Sequence, residues 1–481
     1  MRLEVRGACG DGRKSSNRHL VTGALPDVVT SLCHDIHNAG GRAWLVGGWV
    51  RDQLLTGTER SLSVDYDLEV YHLSITALQP LLAARGRVKR VGSCFSVLKL
   101  CCDQVEIDVA LPRREQSSGD GHRDFSVVAD PYMEPFEATC RRDFTMNAMM
   151  YDPLEGTLLD LHGGQRDIAQ ARLRHIGAGF GDDPLRPLRA VQFCARFNLL
   201  LADETAEVCR SMVPLAQALP VERVWQEWRK WALSRHPDAG LRALEVGGWL
   251  SCYPPLARLV GTPQDPRWHP EGDVWQHTVQ VCAQAAAIAT RDALSTRQRL
   301  VLLFAALCHD LGKPDTTRVD SAGVLRSRGH AVQGVESAHT LLSAVGAPGW
   351  LSAEVEPLVR EHLVHLHGEP TPRAIRRLAD RLQPSSIVMW ERLIEADSSG
   401  RHPLPPSRAA LGWLQLAQSL MVTERAPEAV VSGRWLLERG VREGVEVGVI
   451  VRAAWQAQLN GQITSSSDAE LWWQEYLRAN G

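Results

Sequence analysis

Asp65 and Asp67 stand two apart in Val64-Asp-Tyr-Asp-Leu-Glu-Val70, a run that reads as a strand. Side chains alternate faces along a strand, so both carboxylates share one face. Two hard oxygen donors on a rigid strand suit one or two Mg²⁺ ions, and Asp108, in Val105–Leu111, is a candidate third donor. Ions held in this way activate an attacking hydroxyl and clamp a triphosphate for in-line displacement. Gly47-Gly48, just upstream, lets backbone N–H groups approach phosphate oxygens, and Arg51 is placed to neutralise phosphate charge. A D-x-D on a strand is by itself more often an exposed polar edge, and Gly-Gly more often a turn. Their ordered conjunction is what points to nucleotidyl transfer.

Two further sets of residues carry chemistry. Asp183 and Arg186 are three apart at an expected helix start, hence on one face. A carboxylate accepts from an exocyclic amine and a guanidinium donates to a ring nitrogen or carbonyl oxygen, so the pair can imitate a Watson–Crick edge that selects C and A over U and G. The bland alternative is a helix-capping Asp183 and a solvated Arg186. Pro187, early in the same helix, is expected to remove one helical hydrogen bond. Further on, His277 opens a helix, His309-Asp310 ends the apolar run Leu300–Cys308, and Asp397 follows in Glu395-Ala-Asp-Ser-Ser-Gly-Arg401. A buried His-Asp pair costs free energy unless satisfied, and a metal ion satisfies both members at once.

The elements that must position these residues are legible in outline. Arg42–Gly48 reads as strand then turn, and Phe95–Cys101 with Val105–Leu111 as a hairpin. Pro112 to Asp130, polar and charged, reads as a long flexible loop of the kind that is usually functional. Pro184, after Asp183, reads as the first helical position, and the chain beyond it as almost wholly helical. The Pro/Gly/Trp-rich Gly261–Gly272 and the Pro-rich His402–Ser407 read as boundaries. A length of 481 residues implies two to four domains. Net charge is -3, so any RNA contact must come from local patches such as Arg85–Arg90 or Arg373, Arg376 and Arg377. The eleven cysteines show no C-x-x-C pair and read as reduced core residues of a cytoplasmic protein. No apolar signal segment opens the chain, and no membrane span is expected.

Leu45-Val-Gly-Gly-Trp-Val-Arg-Asp52 followed by Asp65-Tyr-Asp67 resembles the opening motif of class II tRNA nucleotidyltransferases and bacterial poly(A) polymerases. Arg141-Arg-Asp-Phe-Thr-Met-Asn-Ala148 is similar to that family's second motif, which implies ribose and phosphate recognition by Arg141, Arg142, Asp143 and Asn147. Asp152-Pro…Gly156…Asp160 resembles the hinge motif, and Asp182-Asp-Pro-Leu-Arg186 the base-pairing motif, with Asp182 where the family usually has Glu. Arg189 is a further nucleotide-binding candidate by the same resemblance. The order H…HD…D, centred on His309-Asp310-Leu-Gly-Lys313, resembles the HD phosphohydrolases, and His330 and His362 stand where some members have further ligands.

The resemblance implies an α+β fold: a small mixed polymerase β-like head, an all-α neck, an HD-type helical domain and a helical tail. The expected bounds are a mobile tail at 1–22, the head at 23–165, the neck at 166–260, the HD domain at 261–401 and the tail at 402–481. It implies CCA addition to tRNA from CTP and ATP with Mg²⁺, and phosphatase or 2′,3′-cyclic phosphodiesterase activity at an HD site of His277, His309, Asp310 and Asp397 holding Ni²⁺, Mn²⁺ or Co²⁺. The alternative is an A-only-adding enzyme or a poly(A) polymerase. Addition of CC alone is disfavoured by the length of the Pro112–Asp130 segment, with its Arg113, Arg114, Glu115 and Arg123. A poly(A) polymerase is disfavoured because no basic motif follows Gly92-Ser-Cys-Phe-Ser.

Overall fold

The computed structural model describes residues 25–55, 65–91, 97–102, 105–117 and 125–480. The expected tail at 1–22, the Gly92–Ser96 segment and Arg123 lie outside the described residues. The chain forms two compact units. One runs to Arg186 and takes in Leu200–Thr205; the other comprises Pro187–Leu199 and the chain from Ala206 onward.

In the first unit the longer strands are β1 (Arg42–Val46), β2 (Tyr66–Tyr71), β3 (Arg87–Val91), β4 (Val97–Cys102), β5 (Val105–Ala110), β6 (Arg113–Ser117), β7 (Phe125–Ala129), β8 (Met150–Asp152) and β9 (Thr157–Leu159), and Arg172–Leu173 pairs in parallel with Leu200–Leu201. One sheet has the order β3-β4-β5-β2-β1-β8-β9, with β2 and β5 parallel and its other pairs antiparallel. The β4–β5 hairpin is as expected. Alternation along β1 and β2 splits the sheet's faces. Leu45, Leu68 and Val70 join Leu98, Leu100 and Val109 under helices α1 (Asp27–Asn38) and α3 (Ile75–Ala83), which contribute Val29, Leu32, Ile36, Leu78 and Leu82. The intervening residues of β2, Asp67, Glu69 and Tyr71, point to the opposite face. Helix α2 (Gly48–Leu54) follows β1 directly.

The Pro112–Asp130 segment is not a continuous loop. Its ends, β6 and β7, pair from Arg113↔Ala129 to Ser117↔Phe125, and residues 118–124 lie outside the described residues. Arg114 explains how so polar a segment is ordered: it reaches Asp130 at 3.0 Å and Glu137, in α4 (Pro135–Cys140), at 2.5 Å. β6 is wholly polar and so lacks the apolar alternation by which strands are read.

After α5 (Gly164–Ala169) comes α6 (Arg186–Phe197), which starts two residues later than Pro184 suggested. Asp183 and Pro184 belong to the preceding turn. Pro187 therefore falls in the first helical turn, where an N–H has no helical partner, and costs no hydrogen bond.

The second unit is helical: α7 (Asp203–Ser211, its last six residues), α8 (Val221–Ala232), α9 (Pro237–Val246), α10 (Pro254–Ala257), α11 (Val274–Arg291), α12 (Thr296–Cys308), α13 (Lys313–Thr316), α14 (His330–Ala344), α15 (Gly349–Glu361), α16 (Pro372–Arg381), α17 (Ile387–Ser399), α18 (Leu411–Ser419), α19 (Gly433–Leu437), α20 (Val445–Leu459) and α21 (Ser466–Asn480). A two-stranded ribbon, Thr317–Val319 with Leu325–Ser327, interrupts the helices. Helix α12 begins at a Ser295/Gln298 capping box, and every residue from Leu300 to Cys308 is buried. Cys194, Cys282 and Cys308 are buried free thiols as expected, whereas Cys101 and Cys102, at the end of β4, are only half-buried. Among the described residues no helix is long and apolar enough to cross a membrane.

The chain after Asp310 turns against α14 so closely that a Cβ on Gly312 would lie 2.1 Å from the His330 carbonyl oxygen and 2.6 Å from the Gly334 nitrogen. Backbone atoms cannot swing aside as a side chain can. Gly312→Ala is expected to lower unfolding free energy by about 1–3 kcal/mol in urea melts. Wild-type stability in that variant would show that the turn is looser than described.

Candidate functional site

The first candidate site lies where β1, β2 and β5 run side by side. Asp67 is opposite Asp108 across the parallel β2–β5 pairing, and Asp65 immediately precedes β2. Burial, the Asp108 carboxylate and Asp65 push the Asp67 carboxyl up to about 6, against the lowering pull of Arg142 and Lys99. Asp108 Oδ1 is buried without a hydrogen bond, with Lys99 Nζ 3.3 Å away. Asp67 and Asp108, opposed on neighbouring strands with the exposed Asp65 just before, offer oxygen donors that fit a hard divalent cation. Gly47 (φ 71°) bounds the site, and a Cβ there would lie 3.1 Å from Asp67 Oδ2. Glycine thus keeps both the backbone conformation and the space beside the carboxylate.

The surrounding candidates form a connected scaffold. Arg51 is buried, not solvent-facing: it donates to Asn147 Oδ1 at 2.8 Å and to Asp52 Oδ1 at 2.7 Å. Asn147 Nδ2 donates to Asp143 Oδ1 at 2.9 Å, which also accepts from the Phe144 N–H. Arg142 donates to the Glu69 carboxylate at 3.0 Å and to the Asn147 carbonyl at 3.3 Å, and Arg141 lies 3.9 Å from Glu69. Glu69 is buried and also accepts from the Tyr71 hydroxyl at 2.6 Å. Sequence reasoning passed over Glu69, although Asp65, Asp67 and Glu69 continue one period-2 series.

Asp183 Oδ1 accepts from the Leu185 N–H at 3.0 Å, and the Asp183 carbonyl from the Arg186 N–H at 3.1 Å. The Arg186 guanidinium donates to the carbonyls of Gly179 and Arg141, the latter at 2.7 Å. Asp183 thus serves as a turn cap, and Arg186 is held in place by backbone. Through Arg141 and Arg142 this turn is tied to Glu69 on the strand of Asp67. Arg189 extends along α6, its guanidinium 5.4 Å over the Phe193 ring.

The second candidate site gathers residues from five helices. His277 lies on α11, His309 caps the C-terminus of α12 with Asp310 next to it, His330 opens α14, His362 caps α15 and Asp397 lies on α17. All six are buried. Two triads form, His277/His309/Asp397 and Asp310/His330/His362, with the ligand atoms of each within 4.8 Å of one another. His309, His330 and His362 each set Nδ1 against a backbone carbonyl, of Ala306, Ser327 and Val359, at 2.8, 2.6 and 2.6 Å. A carbonyl only accepts, so Nδ1 carries the proton and the Nε2 lone pairs face inward. They face other electron-rich atoms. His309 Nε2 is 3.3 Å from His277 Nε2 and 3.1 Å from Asp310 Oδ2; His330 Nε2 is 3.1 Å from His362 Nε2 and 3.2 Å from Asp310 Oδ1; His277 Nε2 is 3.1 Å from Asp397 Oδ1. Such a set needs cations between its members, either protons or metal ions. Its mixture of imidazole nitrogen and carboxylate oxygen fits a divalent transition metal.

Burial acts to raise the Asp310 and Asp397 carboxyls, yet both are held well below the usual carboxylate range, Asp310 by His309 and Lys313 and Asp397 by Arg401 and His277. Burial, with the neighbouring His330 and His309, pushes His362 down to about 3, leaving that ring neutral and able to ligate. Sequence reasoning missed the groups behind these ligands. Gly261–Gly272, which read as a boundary, forms part of the site: Glu271 Oε1 accepts from His269 Nδ1 at 2.9 Å and lies 2.7 Å from His277 Nδ1. Lys313 and Arg401 reach Asp310 and Asp397 at 2.6 and 3.1 Å. A cavity of about 470 Å³ opens onto the cluster.

A family model described as the poly A polymerase head domain matches residues 43–174, and an HD domain model matches residues 274–385. The "Multifunctional CCA protein" of Stenotrophomonas maltophilia is 37% identical over 371 residues, covering 75% of this chain and 86% of that protein. Its namesake from Nitrosococcus oceani is 35% identical over 369 residues, covering 75% and 85%. Among solved structures, the Bacillus stearothermophilus CCA-adding enzyme in complex with CTP matches with a TM-score of 0.61 at 20% identity, covering 95% of this chain and 99% of that one. The Thermotoga maritima CCA-adding enzyme complexed with tRNA matches with a TM-score of 0.58 at 17% identity, covering 96% and 98%. The structural matches share the expected α+β fold of a mixed-sheet head followed by helices.

The raised Asp67 carboxyl has a measurable sign. Its folded value, about 6, exceeds the ordinary 3.8, so the folded protein gains from protonating it. That gain is complete below pH 4 and is lost as pH rises through 6. In chelator, Asp67→Asn is expected to match wild type near pH 4 and to exceed its unfolding free energy by on the order of 1–2 kcal/mol above pH 6. Mg²⁺ should raise the stability of wild type and not of the variant. A pH-independent difference, or equal responses to Mg²⁺, would contradict the carboxylate cluster.

Proposed function

The chain belongs to the family of CCA-adding tRNA nucleotidyltransferases that carry an HD domain, and from that premise we propose how its two sites divide the work. The head, 23–165, transfers CMP and AMP from CTP and ATP to the tRNA 3′ end. The neck, 166–260, contributes to base and RNA binding. The HD domain, 261–401, hydrolyses 2′,3′-cyclic phosphates and phosphomonoesters at damaged ends, and the tail, 402–481, contacts tRNA.

At the head, Asp65 and Asp67 would hold Mg²⁺, with Asp108 as third carboxylate. The observation that carries this reading is the placing of Asp67 opposite Asp108 on parallel strands, with Asp65 just before. Bound Mg²⁺ would supply the charge that activates the 3′-hydroxyl and steadies the triphosphate. Gly47 leaves room for phosphate beside Asp67, and Arg142, braced by Glu69, offers charge to it. Arg51, Asp143 and Asn147 keep Arg142 and its loop in place. Asp183 and Arg186 read the base edge, with Arg186 set in its plane by two carbonyls. Selection of C and A needs donors and acceptors fixed in advance, and that bracing supplies them.

At the HD site His277, His309, Asp310 and Asp397 would hold a transition metal, and His330 and His362 extend the donor set around Asp310. A bound metal would supply hydroxide at neutral pH. Lys313 and Arg401 border the cavity with charge suited to phosphate oxygens. In hydrolysis a water oxygen bonds to phosphorus, one ester P–O bond breaks, and the proton passes to the freed ribose oxygen.

The test of transfer uses tRNA transcripts ending before CCA, after C and after CC, with CTP and ATP offered separately. CTP is expected to extend the first two and ATP the third; no incorporation of CTP would make the chain an A-only enzyme. Asp65→Ala or Asp67→Ala should abolish addition. His309→Ala and Asp310→Ala should abolish cyclic phosphate hydrolysis, which Ni²⁺, Mn²⁺ or Co²⁺ stimulates in wild type, and spare addition. Loss of both activities in any one variant would contradict two independent sites.

Base choice is tested separately. Asp183→Ala or Arg186→Ala should relax discrimination against UTP and GTP by about 1–3 kcal/mol. Unchanged preference in both variants would leave only the capping role.

A further inference from the structure

The cavity beside the HD cluster has two chemically different sets of lining residues. Its polar part holds metal-binding candidates together with Lys313 and Arg401; its apolar part is Pro263, Trp268, Leu325, Leu363 and Leu366. Trp268 is 65% exposed and Leu366 67%. Of the fifteen tryptophans, all within the described residues, Trp268 is the only one in the exposed class. An indole left in water at the rim of a charged cavity forgoes the burial that its area would otherwise give.

Its backbone is firmly set. The N–H groups of Trp268 and His269 both donate to the Asp265 carbonyl, at 3.0 and 2.9 Å, and the Asp265 carboxylate is bridged by Arg267. The next residue, His269, meets Glu271, and Glu271 meets His277. The turn that presents the indole is thus tied to the donor cluster by one hydrogen bond and a carboxylate–imidazole contact of 2.7 Å.

We propose that Trp268, with Leu366 in the lining of the same cavity, is the shelf on which the terminal base of an RNA stacks while its cyclic phosphate lies among the HD residues. Trp268 then determines specificity: it makes the site one for nucleotide ends and not for phosphoesters at large. A cavity of about 470 Å³ lies in the range of small-ligand sites. Stacking on an aromatic face tolerates any base, which suits an end whose last base varies. The proposal rests on the hydrolase reading above.

The test compares adenosine 2′,3′-cyclic phosphate with glycerol 1,2-cyclic phosphate, which has the same reacting ring and no base, using metal-loaded full-length protein. Trp268→Ala is expected to raise KM for the nucleotide roughly 5- to 100-fold with kcat little changed. It should leave both constants on the glycerol substrate unaltered, and Trp268→Phe should keep most of the wild-type KM. An unchanged KM, or equal losses on both substrates, overturns the proposal. If wild type hydrolyses neither substrate, the hydrolase reading fails on its own. Cobalt-loaded protein carrying Asp67→Ala, which removes a head-site carboxylate, is then titrated with 2′-AMP while the visible cobalt absorption is followed. Weaker 2′-AMP binding in the Trp268→Ala background supports the shelf. Equal affinities, or no spectral response in either protein, overturn it.

Discussion

Electron-rich atoms brought close together are the constraint around which both sites are built, half-buried in the head and fully buried in the helical unit. In the head Asp67 faces Asp108 across paired strands, and burial together with the Asp108 and Asp65 charges lifts Asp67 to about 6. In the helical unit four imidazoles and two carboxylates turn their acceptor atoms on one another at 3.1–3.3 Å. Basic neighbours offset part of the repulsion, Arg142 and Lys99 at Asp67, Lys313 at Asp310 and Arg401 at Asp397. Each arrangement is held in place by the structure around it, and a bound cation would relieve the repulsion that remains.

The two units bear that strain by different means. A strand fixes direction every second residue, so β2 can aim Asp67 and Glu69 at one face while Leu68 and Val70 anchor the other under α1 and α3. A helix end fixes position through its unsatisfied carbonyls. His309 and His362 sit at C-terminal caps and donate Nδ1 to the last turn of their own helices, so that backbone groups needing a donor also fix the tautomer. The buried Leu300–Cys308 stretch of α12 and the glycine contact at Gly312 keep those ends in register.

The legible parts of the chain were those in which chemistry and periodicity coincide. Asp65, Asp67 and Asp108 could be named because their strands alternate cleanly. The HD order was readable because His309-Asp310 ends an unbroken apolar run. The residues that escaped act at a distance in sequence. Glu271, in a stretch read as a boundary, meets His277 only through folding, and Glu69 was overlooked although it continues the Asp65–Asp67 series. The β6–β7 ribbon escaped because β6 is wholly polar, and its Arg114 finds partners in Asp130 and Glu137, which no local pattern reveals. The start of α6 was placed two residues early because Asp183-Pro184 is as good a signal for a turn as for a helix.

The central claim, that the buried imidazole–carboxylate cluster is a metal centre and not a protonated structural core, is tested most directly by elemental analysis joined to thermal unfolding. Protein prepared without chelator and supplied with Ni²⁺, Mn²⁺ or Co²⁺ is expected to retain at least one ion per chain through gel filtration, and to lose several degrees of unfolding temperature when a chelator removes it. No retained ion, with an unfolding temperature indifferent to metal and chelator alike, would show that protons alone hold the cluster together.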